Sequence, residues 1–293
     1  MSANGLALLA GFSLAVLVAL AAWRARALSW SGALAAALLG TIIFGLGGIG
    51  WAALLLGFFI SSSLLSRLFG RQKARYEEKF SKGSQRDAGQ VAANGGVAGA
   101  FVLLHALFPG ALWPWLGFAG ALAAANADTW ATELGVLSHS TPRLVTSGRP
   151  VERGTSGGVS GLGLAAAAAG AAVIGLLAVV FWQGRALDIP GAPGWLAQIT
   201  GAGLPALPMP HALLALAGIT AAGLAGSLLD SFLGATVQAI YLCPRCEKET
   251  ERHPLHLCGT ATQPIRGWLW MNNDLVNVLC TLAGALLAAR ILF

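Results

Sequence analysis

Charge is the scarcest ingredient of this chain. Asp, Glu, Lys and Arg make up only 10% of its 293 residues, where a soluble domain carries about 25%, so a surface wetted on all sides is excluded. No cleavable leader is expected either. The first apolar run, residues 4–23, leads into the next with no clear cleavage site between them, and is expected to stay in the mature protein as a membrane span. The lysine-bearing P-loop of soluble nucleotide hydrolases is also absent, which removes that route to phosphate chemistry.

What remains is apolar and glycine-rich. Hydrophobic residues make up 56%, with 39 glycines, and mean hydropathy is +0.70. Abundant Gly and Ala suit helices that pack closely in lipid. A bilayer core takes about 20 apolar residues per helix. On that measure the chain reads as an all-α, polytopic transmembrane bundle with candidate spans at 4–23, 29–46, 51–69, 91–108, 112–137, 158–182, 211–240 and 274–292. The second and third are separated only by the glycine-rich turn Gly45 to Gly50. No domain boundary is visible, so residues 1–293 are expected to form a single integral membrane domain, with a Cys/His loop at 241–272.

A net charge of +6 suggests nucleic acid in a soluble protein. Here the basic residues sit between apolar runs and read as topology signals, so no nucleic-acid partner is expected. With the N-terminus outside and about eight spans, every Lys and Arg of the 18 falls in an inside loop except Arg185 and Arg290. The bias places both termini outside and the polar motifs at the cytoplasmic side of a cell (inner) membrane. The outside loop 183–210 is rich in Pro and Gly and carries no readable motif.

Five polar strings stand out, all in inside loops or inner halves of spans. The first, Ser81 to Gly96, carries Arg86 and Asp87 before a span, with Gln90 and Asn94 on the following helical face. Asp87 also reads as a plain helix cap, but Asn94, deeper in the span, needs a partner in lipid. The second, Asn126 to Gly135, sets Asp128 and Glu133 inside a span, where ionisable groups are costly and mark sites. Asn126, Thr129 and Glu133 share a face there. The third, Gly148 to Gly163, leads glycines and serines (Ser156, Gly157, Gly158, Ser160) into a helix start close to Arg143, Arg149 and Arg153. Exposed N–H groups at such a start make an anion cradle, and arginines grip phosphate. The fourth, Gly226 to Gln238, holds Asp230 at a depth matching Asp128. Asp128-Thr129-Trp130 and Asp230-Ser231-Phe232 agree in type, which suggests an internal repeat. Two carboxylates at equal depth suit a Mg²⁺ ion that also binds substrate phosphates. The fifth, Trp270 to Asn277, opens the last span with Asn273, Asp274 and Asn277. Asn273 is expected to cap that helix.

The loop before the last span holds Cys243 and Cys246 in a C-x₂-C pair, then His253, His256 and Cys258. Disulfides are not expected in a reducing compartment. Cys243, Cys246, His256 and Cys258 are the right ligand types for a structural zinc ion, with free thiols as the alternative. Cys280 reads as packing, and His105 and His139 receive no role.

The strings RDAGQVAANGG, NADTWATELG, GTSGGVSGLG, DSFLGATVQ and NNDLVN, with the Cys-rich loop, resemble the integral membrane family once called domain of unknown function 92, which includes transmembrane protein 19. They span most of the chain, from about Ser81 to Asn277. The family includes the plant and cyanobacterial phytyl-phosphate kinase. The resemblance implies an isoprenyl-phosphate kinase that uses a nucleoside triphosphate, CTP first, to make the prenyl diphosphate. It carries Asp87, Asn94, Asn126, Asp128, Glu133, Asp230, Asn273, Asp274 and Asn277 as the family's polar positions.

On the chemistry of the residues, Asp128, Asp230, Glu133 and Asp87 are the candidate catalytic groups, Asp128 and Asp230 doubling as Mg²⁺ ligands. Arg86, Asn94, Asn126, Arg149, Arg153, Ser156, Gly157, Gly158, Ser160, Asn273, Asp274 and Asn277 are candidates for binding substrate and nucleotide. Expected partners are membrane lipid, a prenyl phosphate and a nucleoside triphosphate, with homo-oligomerisation left open. Two other functions stand beside this one: a cytidylyltransferase that makes a CDP-lipid, and a transporter of a phosphorylated or anionic solute. The repeat and a midplane site would suit the transporter, but the outside halves of the spans are almost free of polar residues.

Overall fold

The structure, a computed structural model, describes residues 3–73, 78–80, 82–83, 85–182 and 209–291. The expected loop 183–210 lies outside them up to residue 208, together with Arg185, Arg75 and Ser81.

Each expected span is a helix. In chain order these are α1 (Ala3–Arg24), α2 (Trp30–Ile42), α3 (Ile49–Leu68), the short α4 (Gly70–Lys73), α5 (Ala88–Leu107), α6 (Trp113–Gly135), α7 (Gly161–Trp182), α8 (Met209–Thr236) and α9 (Asn273–Ala289). The glycine-rich turn after α2 is a π-helical turn, Ile43–Gly47. Among the described residues, six helices are long and apolar enough to cross a membrane: α1, α2 with its π-helical extension, α3, α5, α7 and α8. The shorter α9 has 17 residues. Polar residues dilute α6, and its position explains how it tolerates them. It sits at the centre, packed by α3, α5, α7, α8 and α9, and every residue from Pro114 to Ala127 is buried. A helix ringed by protein can hold Asn, Asp and Glu where a lipid-facing helix cannot.

Small residues let the ring close. A Cβ added to Gly120 of α6 would stand 2.4 Å from Ala288 Cβ and from the Gly284 carbonyl oxygen of α9. The two backbones touch there, as small-residue crossings in membranes do. Away from the polar end, Trp51, Trp115 and Phe118 fill the core, with Trp51 4.9 Å from Trp115 and 4.8 Å from Phe118, centroid to centroid.

Helices α1, α3, α6 and α8 run toward one end of the bundle, and the loops that follow them meet there. Ser29 N donates to the Arg86 carbonyl at 3.0 Å. Lys79 pairs with Glu152 at 2.6 Å, and Lys248 with Glu78 at 2.5 Å. The basic loops therefore share one face of the molecule. Arg290 ends α9, about 25 Å of helix away at 1.5 Å per residue. Two small sheets decorate the loop end. A hairpin pairs β1 (Arg143–Leu144) with β2 (Gly158–Val159). A ribbon of β3 (Ile240–Cys243), β4 (Lys248–Thr250) and β5 (Gln263–Arg266) has strand order β4-β3-β5.

Candidate functional site

At the loop end the helices enclose a polar cavity of about 240 Å³. Its acidic floor comes from α6 and α8. Asp128 lies seven residues before the end of α6 and Asp230 six before the end of α8, each about 10 Å deep at 1.5 Å per residue. Their side chains stand within hydrogen-bonding reach of each other, and Cys280 Sγ lies 3.7 Å from Asp230 Oδ1. Matching hydroxyls flank them: Thr129 Oγ1 donates to the Ala125 carbonyl at 2.8 Å, and Ser231 Oγ to the Ser227 carbonyl at 3.4 Å. The structural likeness of the two triplets ends at the third residue. Trp130 donates through Nε1 to Ser61 at 3.4 Å, whereas Phe232 is half exposed.

Helix starts ring the cavity on its other sides. α5, α7 and α9 all begin there, and Gln90, Asn94, Ser160, Gly163, Asn273 and Asn277, from their caps and first two turns, line it. Their dipoles turn a positive end toward the space, which favours an anion. Ser160 caps α7, accepting from Gly163 N at 3.1 Å. The preceding loop is shaped by Gly157, whose φ of +83° suits glycine and whose added Cβ would meet Ala235 Cβ at 2.5 Å. This contact lays Ser156, Gly157 and Gly158 along the end of α8. Gln238, buried just beyond α8, accepts from Ser156 Oγ at 2.9 Å and donates to Glu251 Oε1 at 2.9 Å.

Arg86 supplies positive charge at the wall. One terminal nitrogen, Nη2, donates to Ser62 Oγ at 2.8 Å, the guanidinium lies 5.2 Å from the Phe58 ring centroid, and Nη1 is buried without a hydrogen-bond partner among the described residues. Burial lowers its pKa to about 10, partly offset by the charge of Glu133, so it stays protonated at neutral pH. Glu133 Oε1 accepts from Ser66 Oγ at 2.8 Å.

Of the residues singled out in the sequence, Asp128, Asp230, Glu133, Arg86, Asn94, Ser156, Gly157, Gly158, Ser160, Asn273 and Asn277 line this one space. Others stand elsewhere. Asp87 caps α5 in a reciprocal capping box with Gln90 and pairs with Lys82 at 2.9 Å. Lys82 also bridges to Asp274. Burial opposes the Lys82 charge, but the hydrogen bonds and charges of Asp274 and Asp87 outweigh it and hold its pKa above the ordinary lysine value. Asn126 is turned away from the cavity: Nδ2 donates to the Gly170 carbonyl at 2.8 Å and Oδ1 accepts from Ser61 Oγ at 3.1 Å, tying α3, α6 and α7 together. Arg149 is exposed in the tight turn that follows β1, its carbonyl accepting from Leu144 N at 2.9 Å, and Arg153 donates to the His139 carbonyl at 3.3 Å. Asn272, not Asn273, caps α9, accepting from Leu275 N at 2.9 Å. Cys243, Cys246, His256 and Cys258 come together in the ribbon, their ligand atoms within 4.8 Å of one another.

Lys82, Ser66, Thr132, Ser227, Gln238 and Glu251 also line the cavity and were not picked out as site residues. Gln238 closes the fourth polar string, and Lys82 was read only as a topology charge.

A second space adjoins the first. An apolar groove of about 100 Å³ lies between α1, α2, α3 and α5. Ala22, Leu28, Phe58 and Phe59 line it near the loop end, and Leu14, Phe44 and Ala52 deeper in. Arg86, Gln90 and Asn94 border both spaces.

Fold and site together define a polytopic integral membrane protein whose helices enclose an acidic, cation-lined cavity at their loop end. The sequence matches the family model described as integral membrane protein DUF92 over residues 13–285, and the chain belongs to that family. Protein PGR of Arabidopsis thaliana is 33% identical to it over 286 residues, 93% of this chain and 92% of the relative. An uncharacterized membrane protein of Methanocaldococcus jannaschii is 31% identical over 213 residues, 72% of this chain and 75% of the relative. No solved structure matches.

Proposed function

We propose that this protein transfers the γ-phosphoryl group of a nucleoside triphosphate, CTP first, to an isoprenyl monophosphate such as phytyl phosphate, at the cytoplasmic face of the membrane. The observation that carries the reading is the Asp128–Asp230 pair in a cavity also lined by the starts of three helices, by Arg86 and Lys82, and by two further carboxylates, Glu133 and Glu251. Two carboxylates this close repel unless a cation or a shared proton stands between them. That donor set, open to a polar cavity, fits a small hard cation that keeps positions free for phosphate oxygens.

Mg²⁺ held by Asp128 and Asp230 would supply charge neutralisation on the donor's phosphates. The acceptor is a phosphate monoester whose oxygens are already anionic at neutral pH, so no general base is required. One of those oxygens forms a bond to the donor's γ-phosphorus, the bond from that phosphorus to the β–γ bridging oxygen breaks, and the nucleoside diphosphate leaves with the electron pair. What remains for the protein is positioning and charge balance. Arg86, whose buried Nη1 has no hydrogen-bond partner among the described residues, and the N–H groups opening α7 offer donors to the transferred group. The apolar groove beyond Arg86, Gln90 and Asn94 suits the prenyl chain, its phosphate entering the cavity at their border. The tail is already in hydrocarbon before it binds, so the groove selects by shape and not by removal from water. The concentration of Lys and Arg at this end supports its cytoplasmic orientation.

Purified protein with CTP or ATP, Mg²⁺ and a panel of prenyl monophosphates tests this, read by phosphorus NMR. The nucleoside diphosphate and a lipid diphosphate are expected. Pyrophosphate with a CDP-lipid would replace the kinase by the cytidylyltransferase reading, since attack would then fall on the α-phosphorus.

A further inference from the structure

The ribbon between α8 and α9 has almost no core of its own. Its strands are three or four residues long, and a unit of that size needs a staple to hold its shape. Two tight turns face each other within it. In one, Glu247 N donates to the Cys243 carbonyl at 2.8 Å, and Glu247 has a φ of +55°. In the other, Gly259 N donates to the His256 carbonyl at 2.9 Å, with φ +79° at Gly259. Each turn therefore closes just past a ligand-type pair, Cys243/Cys246 on one side and His256/Cys258 on the other. The side chains converge: Cys243 Sγ is 3.6 Å from Cys258 Sγ, and His256 Nδ1 lies 3.2 Å from Cys258 Sγ and 3.7 Å from Cys246 Sγ. Cys243 and His256 are buried, and the three cysteines are unbridged. Three sulfurs and one imidazole nitrogen around a common point are a tetrahedral soft-ligand set, which selects zinc over Mg²⁺ or Ca²⁺.

The ribbon also builds part of the cavity wall. Gln238 stands two residues before β3 and Glu251 one residue after β4, joined side chain to side chain. β4 reaches across to the α4–α5 loop: Thr250 Oγ1 donates to the Glu78 carbonyl at 2.5 Å, and Glu251 N to the Lys79 carbonyl at 3.0 Å.

We propose that Cys243, Cys246, His256 and Cys258 bind one zinc ion, and that this ion fastens the ribbon so that Gln238 and Glu251 hold their places in the cavity wall. All four positions around the ion are filled by protein, so the zinc is structural and takes no part in chemistry. The proposal stands apart from the phosphoryl-transfer reading, because its readouts need no turnover.

The test is elemental analysis and amide hydrogen exchange on full-length protein purified without chelator. About one zinc per chain is expected from four closed ligands, lost in the Cys243→Ser/Cys258→Ser double variant. Stripping the metal should speed exchange roughly tenfold or more at residues 237–251 and 155–158, while α6 and α7 keep their protection. If the double variant does not insert, His256→Cys should keep the zinc and His256→Ala should lose it. Zinc absent from the wild type, zinc retained in the double variant and in His256→Ala, or a Cys243–Cys258 disulfide in unreduced protein would each overturn the site. Exchange unchanged by stripping would overturn the wall-positioning role.

Discussion

Replacing Asp230 by Asn should stabilise the metal-free protein while removing its turnover. Asp128 and Asp230 stand within hydrogen-bonding reach of each other. Two unit charges that close repel by about 4 kcal/mol at an effective dielectric of about 20. The cost to folding has a ceiling, because one carboxylate can take up a proton instead. From an ordinary pKa of about 3.9, that uptake costs about 4 kcal/mol at pH 7. An amide in place of one carboxylate turns the repulsion into a hydrogen bond, so Asp230→Asn should unfold later by about 1–4 kcal/mol in chelator. The assay is thermal unfolding of wild type and variant in detergent, each with EDTA and with Mg²⁺. In EDTA the variant should be the more stable. Mg²⁺ should protect the wild type and leave the variant unchanged, since ligand stabilisation requires a site. A variant less stable than wild type in EDTA, with equal protection of both by Mg²⁺, would show that these carboxylates do not form a cation site.

Further expectations follow from single contacts. Gly157→Ala places a Cβ 2.5 Å from Ala235 at a φ of +83°, and should cost about 1–3 kcal/mol and lower kcat as the cradle shifts, measured by unfolding and initial rates. Asn126→Leu loses its hydrogen bonds to Gly170 and Ser61. At about 0.6 kcal/mol per interhelical bond in membranes, it should cost roughly 1 kcal/mol with KM unchanged, and a large KM change would place Asn126 in substrate binding. Ala36→Phe fills the apolar groove and should reduce turnover of long prenyl phosphates while sparing short ones, read as the ratio of kcat/KM values. Equal loss for both would put the tail elsewhere. Lys82→Met leaves Asp274 and Asp87 without their shared cation, and should destabilise by about 1–2 kcal/mol, less in high salt.

The spans were legible because lipid imposes a length and a composition, and the basic loops marked their common end. Asp128 and Asp230 were legible as a pair because acid is rare in a span and their neighbours match in type. Other features needed coordinates. Asn126 shares a helical face with Thr129 and Glu133 in the sequence, yet its amide points between α3 and α7, because α6 is surrounded on all sides and each face meets a different helix. Arg149 and Arg153 lie near the cradle in sequence, but the tight turn after β1 leaves Arg149 exposed beside that strand. Gln238, Glu251 and Lys82 join the cavity only through contacts between loops far apart in the chain, which no local pattern encodes. The apolar groove is likewise a space between four helices, with no motif of its own.

The proposed role of Asp128 and Asp230 is to hold a cation for phosphate. Electron paramagnetic resonance of Mn²⁺ added to the purified protein tests it most directly. One bound Mn²⁺ per chain is expected from a single carboxylate pair, lost in Asp128→Asn and in Asp230→Asn, and bound more tightly when a prenyl monophosphate and a non-hydrolysable nucleotide are present. Mn²⁺ binding that survives both substitutions, or that ignores the phosphates, would contradict the account.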